Sequence, residues 1–124
     1  MNIKQKVFTA LNASKNLTDL LHKDAMGQCI YHCRSPNAGS YPIVVYTMTE
    51  DKPAVIADGT VLERRITMRL SILTRDGAHE QIFKEIWKVM AELGFIFLQA
   101  TESVEANNIF AKSIDFRIGI GVDE

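Results

Sequence analysis

The sequence has no excess of basic residues, no long apolar run and few cysteines. Its 14 basic and 15 acidic residues give a net charge of -1. Strong, sequence-independent binding to nucleic acid usually requires an excess of basic residues, which displace counterions. This class of function is therefore disfavoured. No apolar stretch approaches the roughly 20 residues that cross a bilayer. The first residues also lack the apolar segment of a signal peptide, so we expect no export and no membrane partner.

The two cysteines, Cys29 and Cys33, are too few for a disulfide framework. Residues four apart in an extended segment are separated by roughly 13 Å, whereas a disulfide needs Cα atoms within about 7 Å. We therefore expect free thiols in a reducing cytosol. The length of 124 residues fits one domain, residues 1–124, which can bury a core without metal or disulfides.

Hydrophobic periodicity predicts an α+β fold with the element order α-α-β-β-β-α-β-β. The clearest strand runs from Leu62 to Leu73, with apolar residues at its even positions except Arg64, and Gly94 ends the main helix. A loop from Glu50 to Thr60 separates the second and third strands. We expect an antiparallel or mixed sheet of about five strands with the helices packed on one face. The strands are predicted at residues 29–31, 42–48, 62–73, 95–101 and 109–122.

Candidate chemistry is confined to one cluster of zinc-binding residue types, His22, Cys29, His32 and Cys33. On a strand, the two thiols point the same way but lie too far apart for one tetrahedral ion, and His32 faces the other side. Neither thiol has the helix N-terminus or fixed cation that lowers a thiol pKa. His79, in the first turn of the main helix, is expected to be solvated. We predict no catalytic residue, no cofactor and no metal, and therefore no enzyme.

One face of the predicted sheet is polar. It carries four charged residues, Arg65, Arg69, Asp115 and Arg117. One interpretation is a solvated face with cross-strand ion pairs that each contribute little. The other is a surface turned toward another subunit or a channel.

Several segments, in order and over nearly the whole chain, resemble the tail-completion (tail-terminator, or head–tail joining) proteins of long-tailed bacteriophages and prophages. Each segment alone is generic, and the resemblance depends on their sequence and spacing. The segments are Val7–Leu11, Tyr41–Tyr46, Ala57-Asp58-Gly59, Ile72–Asp76, Met90–Phe95 and Asp115–Ile118.

The resemblance implies a structural protein of the virion tail, assembled in the bacterial cytoplasm. It implies a ring, typically a hexamer, that caps the tail tube and meets the head connector, with DNA passing through the lumen without sequence-specific binding. The loop is then a candidate contact with a tail or head protein, and the polar face a candidate ring or lumen surface. The candidate contact residues are Asp51, Lys52, Val55, Asp58, Arg65, Arg69 and Arg117.

Two other functions stay open at this point. One is a small metal- or ligand-binding α+β domain that uses Cys29, His32 and Cys33. The other is an adaptor module that binds a host protein through a sheet edge.

Overall fold

The computed structural model describes residues 2–34 and 41–121. The order of helices and strands agrees with the predicted α+β order. In chain order the elements are α1 (Ile3–Ala13), α2 (Lys15–Thr18), β1 (Ile30–His32), β2 (Ile43–Ala57), β3 (Thr60–Thr74), α3 (Glu80–Glu92), β4 (Ile96–Glu105) and β5 (Ile109–Gly121), with a 3-10 turn at Ala106–Asn108.

The five strands form one mixed sheet in the order β1-β2-β3-β5-β4. β1 runs parallel to β2, and the other neighbours are antiparallel. β1 is only three residues long and pairs with residues Val44 to Tyr46 of β2. Within the described residues, the outer edge of β2 beyond Tyr46 therefore has no neighbouring strand, and β4 forms the other edge.

The helices pack on one face of this sheet and enclose the main core. β3 alternates as predicted over its second half, because its even residues point under the helices. Ile66, Met68, Leu70 and Ile72 are each 0% exposed. They pack in one buried cluster with residues from α1, α3 and β5, including Val7, Leu11, Ile86, Ile114 and Phe116.

Local signals set the ends of the helices. Asn2 accepts a hydrogen bond from the backbone N–H of Gln5, and the Gln5 side chain accepts one from the backbone N–H of Asn2. This reciprocal pair is a capping box, which satisfies two donors at the start of α1. After α3, Gly94 adopts a φ of +97°, a conformation that costs glycine little, and the chain turns into β4.

The predicted loop from Glu50 to Thr60 is wrong, because this segment is a long β-hairpin. β2 continues to Ala57, β3 begins at Thr60, and only Asp58 and Gly59 form the turn. Their φ values of +51° and +76° fit a two-residue turn with left-handed residues at both positions. In the sequence, Pro53 argues against a strand because proline has no backbone N–H to donate. In the structure it lies where β2 has no outer neighbouring strand, so the missing N–H is tolerated. Three register shifts along this part of β2 also broke the alternation.

Apolar side chains are exposed at two places in the sheet. Leu62 continues the even pattern of β3 but is 52% exposed, since no helix covers that end of the strand. The strand predicted at residues 95–101 is the edge strand β4, in which Ile96 and Leu98 are 54% and 40% exposed. The predicted end of the last strand at Val122 lies outside the described residues.

Candidate assembly surfaces

The distal half of the β2–β3 hairpin projects beyond the helices. We call residues 51–62 the hairpin arm. Residues 51–60 and Leu62 are exposed, and Val61 is half-buried. Three apolar side chains of the arm face solvent: Val55 is 44%, Ile56 61% and Leu62 52% exposed. Scattered single apolar residues are normal at a surface, whereas several on one projecting element are typical of an interaction site.

Ion pairs fix the base of the arm. The guanidinium of Arg64 donates two parallel hydrogen bonds to Asp51, with Nε–Oδ1 at 3.0 Å and Nη2–Oδ2 at 3.1 Å. Lys52 Nζ lies 3.3 Å from Glu50 Oε2. Such exposed pairs add little stability, but a two-point guanidinium–carboxylate contact orients both side chains. The arm therefore carries four of the predicted contact residues, Asp51, Lys52, Val55 and Asp58, on one element.

The sheet face opposite the helices, the polar face, is built around a nearly buried carboxylate. Asp115 is 6% exposed and accepts two hydrogen bonds from Arg69, at 2.8 and 3.2 Å. Gln99 Nε2 donates a third at 3.0 Å. The bond from Arg69 is the main cause that lowers the pKa of Asp115, and the same bond raises the pKa of Arg69. Arg69 was predicted as a contact residue, and its charge is already matched within the sheet.

The rest of the polar face mixes both signs of charge. Arg117 stands opposite Thr67, and Arg65 opposite Gly119 and Lys52. The carboxylate of Glu63 occupies the space above Gly119 that a side chain at this position would take. Ser71 and Ser113 are hydrogen-bonded at 3.0 Å. This face therefore presents cations separated by acids and hydroxyls, rather than a continuous basic track.

A second apolar surface was missed by the sequence reasoning. Trp87 on α3 is 43% exposed, and its ring stacks on Phe97 of β4 with centroids 4.5 Å apart. Ile96 and Leu98 flank Phe97 in the chain, and both are exposed. Ile96 pairs with Arg117 and so points to the polar face, whereas Phe97 and Trp87 lie on the helix face. We call Ile96 and Leu98 on β4 the edge patch. The apolar run at 95–98 was the signal for it, but a run of this kind does not say whether the strand is central or at an edge.

The thiols are not brought together. Cys29 is 1% exposed in the core, where burial raises its pKa. Cys33 is exposed, and its Sγ lies 3.2 Å from His32 Nε2. The expectation that His32 faces away from Cys33 is wrong, because β1 ends at His32 and Cys33 leaves it with a φ of +67°. In the described part of the chain, no group of three or more His, Cys, Asp or Glu residues could hold a metal ion.

His79 is buried, at 3% exposure, and not solvated as expected. Its Nε2 lies 3.3 Å from Thr74 Oγ1, and its Nδ1 lies 3.6 Å from Glu102 Oε1 of β4. Thr74 Oγ1 also accepts a hydrogen bond from the N–H of Gly77. The turn before α3 folds back on the end of the sheet, which encloses the imidazole. His79 thus links α3 to the sheet.

Comparisons with known proteins identify a solved structure with a similar fold. Among residues 2–34 and 41–121, no helix is long and apolar enough to span a membrane. No protein-family model and no curated protein matches the chain. A chain in the solved virion of a native gene transfer agent particle superposes with a TM-score of 0.66 and 16% sequence identity. The alignment covers 96% of this chain and 94% of that chain. The two chains share a fold.

Proposed function

We propose that this protein is a structural component of a phage or prophage virion, and that it acts as a tail-completion protein. In this role it forms a ring at the head-proximal end of the tail tube. The observation that carries the proposal is the fold shared over nearly the whole chain with a component of a gene transfer agent virion. It agrees with the independent resemblance of the sequence segments to tail-completion proteins.

The surfaces support an assembly role. The hairpin arm and the edge patch both expose apolar side chains that the subunit does not cover. A ring subunit needs such surfaces, because each copy must contact two neighbours and also the tail tube and the head connector. A subunit without partner contacts would gain nothing from an arm that adds little to its own core.

The polar face fits a lumen wall. DNA must slide past such a wall, and a dense basic track would hold it through counterion release. Here Asp115 forms an ion pair with Arg69, and the Glu63 carboxylate lies over Gly119, which pairs with Arg65. We propose that DNA passes this face without sequence-specific binding.

We propose no catalytic role and no cofactor. Two of the groups best suited to chemistry have structural contacts: His79 links α3 to the sheet, and Asp115 is held by Arg69 and Gln99. The cysteines are separated into a buried thiol and an exposed one. The chain would act through surfaces, in the virion tail, after assembly in the bacterial cytoplasm.

Tube growth provides the test. A phage tail-tube protein would be polymerised with and without this chain, and the tubes would be examined by negative-stain electron microscopy. We expect a ring at one tube end and an end to further growth, and binding of the connector protein to capped tubes only. A chain that binds neither tubes nor connector would overturn the proposal, and capture of a host protein instead would favour an adaptor.

A further inference from the structure

We propose that the hairpin arm of one copy docks on the edge patch of the next copy. The inference deepens the proposed function, on which it rests, by naming the contact between ring subunits. It assigns the receptor surface to Ile96 and Leu98, which no motif in the sequence marks.

The two surfaces belong to opposite edges of the same sheet. The arm continues β2 and β3, and β2 has a free outer edge beyond Tyr46 in the described chain. The edge patch lies on β4, the last strand on the other side. One subunit cannot join its own two edges. A contact between them is therefore heterologous, and it repeats from copy to copy until rotation closes a ring.

The surfaces are chemically complementary. The arm exposes Val55, Ile56 and Leu62, and the patch exposes two aliphatic side chains. The tip of the arm carries the exposed Asp58, whereas Arg117 pairs with Ile96 in the sheet. An apolar contact with opposite charges at its rim is the usual composition of a protein interface. With a net charge of only -1, identical copies do not strongly repel one another.

Side chains, rather than a continuous ladder of backbone hydrogen bonds, carry the contact. Pro53 removes one donor from the free edge of β2, and register shifts follow Met48, Pro53 and Val55. These irregularities oppose regular strand addition, which is a common defence against aggregation at sheet edges. The docking is consequently specific to a surface with the right side chains.

The size of the arm fits a ring better than a stable dimer. A standard interface takes roughly 20–30 residues from each partner, and the arm supplies residues 51–62 only. A single contact should be weak, so copies associate at high concentration or on a template. Closing the ring gives each copy two contacts at once, and the last one forms at a high effective concentration.

Mixed cysteine variants test the contact directly. In a Cys33→Ser background, Ile56→Cys protein would be mixed with Leu98→Cys protein at a concentration where the wild type associates, and oxidised. We expect disulfide-linked pairs in this mixture at least about tenfold faster than in a control mixture of Ile56→Cys with Thr9→Cys, since Thr9 is exposed on α1. Neither variant alone should pair with itself. Equal rates in both mixtures, or pairing of Ile56→Cys with itself, would overturn the docking.

A second measurement keeps the test independent of thiol chemistry. Leu98→Asp should raise the concentration for half-association at least about tenfold, and Thr9→Asp should leave it unchanged. Circular dichroism melts would show that both variants fold. If Leu98→Asp protein still forms rings on tail tubes, the docking is wrong and the proposed function stands. If the wild type neither associates nor stops tube growth, both fail.

Discussion

β2 and β3 pair along their whole length, with three register shifts, but they pass through two regions of the molecule that differ in burial. Under the helices, Met68 and Leu70 are fully buried. Beyond the helices, Val55, Ile56 and Leu62 are exposed on the hairpin arm. The ladder between the strands runs from Ile43–Leu73 to the turn in both regions. The difference shows that burial in this sheet depends on whether the helices cover the strands. The helix-covered part of the sheet therefore stabilises the monomer, and the hairpin arm is available for contacts.

The sharpest way to break this comparison is to shorten one leucine in each region. Leu70→Ala should lower the free energy of unfolding by about 2–5 kcal/mol, because it opens a cavity in a core position that is 0% exposed. Leu62→Ala on the arm should lower it by only about 0.5 kcal/mol or less. Urea denaturation of dilute, monomeric protein measures both. Similar losses for the two variants would mean that the arm belongs to the core.

A smaller effect is expected from the two aspartates that each pair with an arginine. Asp115→Asn keeps the shape but removes the charge that Arg69 and Gln99 contact, and we expect a loss of about 1–3 kcal/mol. The low end is favoured because the Arg69 side chain is 46% exposed and water can solvate it. Asp51→Asn, on the arm, should cost about 0–0.5 kcal/mol. Urea titrations of both variants measure these losses. A larger loss of unfolding free energy for Asp51→Asn than for Asp115→Asn would contradict the difference between the two regions.

The smallest expected effect is a change of the Asp115 contribution with pH. Its pKa in the folded protein is lowered, mainly by the hydrogen bond from Arg69, relative to about 3.9 in the unfolded chain. The stabilisation is therefore complete above about pH 5 and is lost as the pH falls through the folded pKa. The stability gap between wild type and Asp115→Asn should stay constant from pH 8 to 5 and shrink at pH 3. A constant gap at every pH would show that the carboxylate charge contributes nothing.

The sequence predicted the helix-covered part of the sheet well, because strand alternation and helical periodicity indicate which face of an element is buried. The even residues from Ile66 to Ile72 and the stop at Gly94 are examples. The arm was not predicted, since Pro53 and the register shifts interrupt the pattern that identifies a strand. His79 was placed in solvent because no local signal shows that Thr74 and Glu102 enclose it.

The candidate contact residues lie on two surfaces of the structure, and their contact role stays a prediction. Asp51, Lys52, Val55 and Asp58 were chosen from a supposed loop, and they share the arm because that segment is a hairpin. Arg69 was chosen for its charge, but alternation alone does not identify Asp115 as its partner. The exposure of Ile96 follows only from the place of β4 at the sheet edge, which the apolar run at 95–98 does not reveal.

By itself, the amino-acid sequence determined the order of the helices and strands, the face of β3 and α3 that turns inward, and the ends of the helices. These features depend on neighbours a few residues apart, which the chain always brings together. Only the tertiary structure decided which strands lie at the edges, which carboxylate meets which arginine, and which apolar residues stay uncovered. Each of these depends on segments distant in sequence, and a strand looks the same in the sequence whether or not another element covers it.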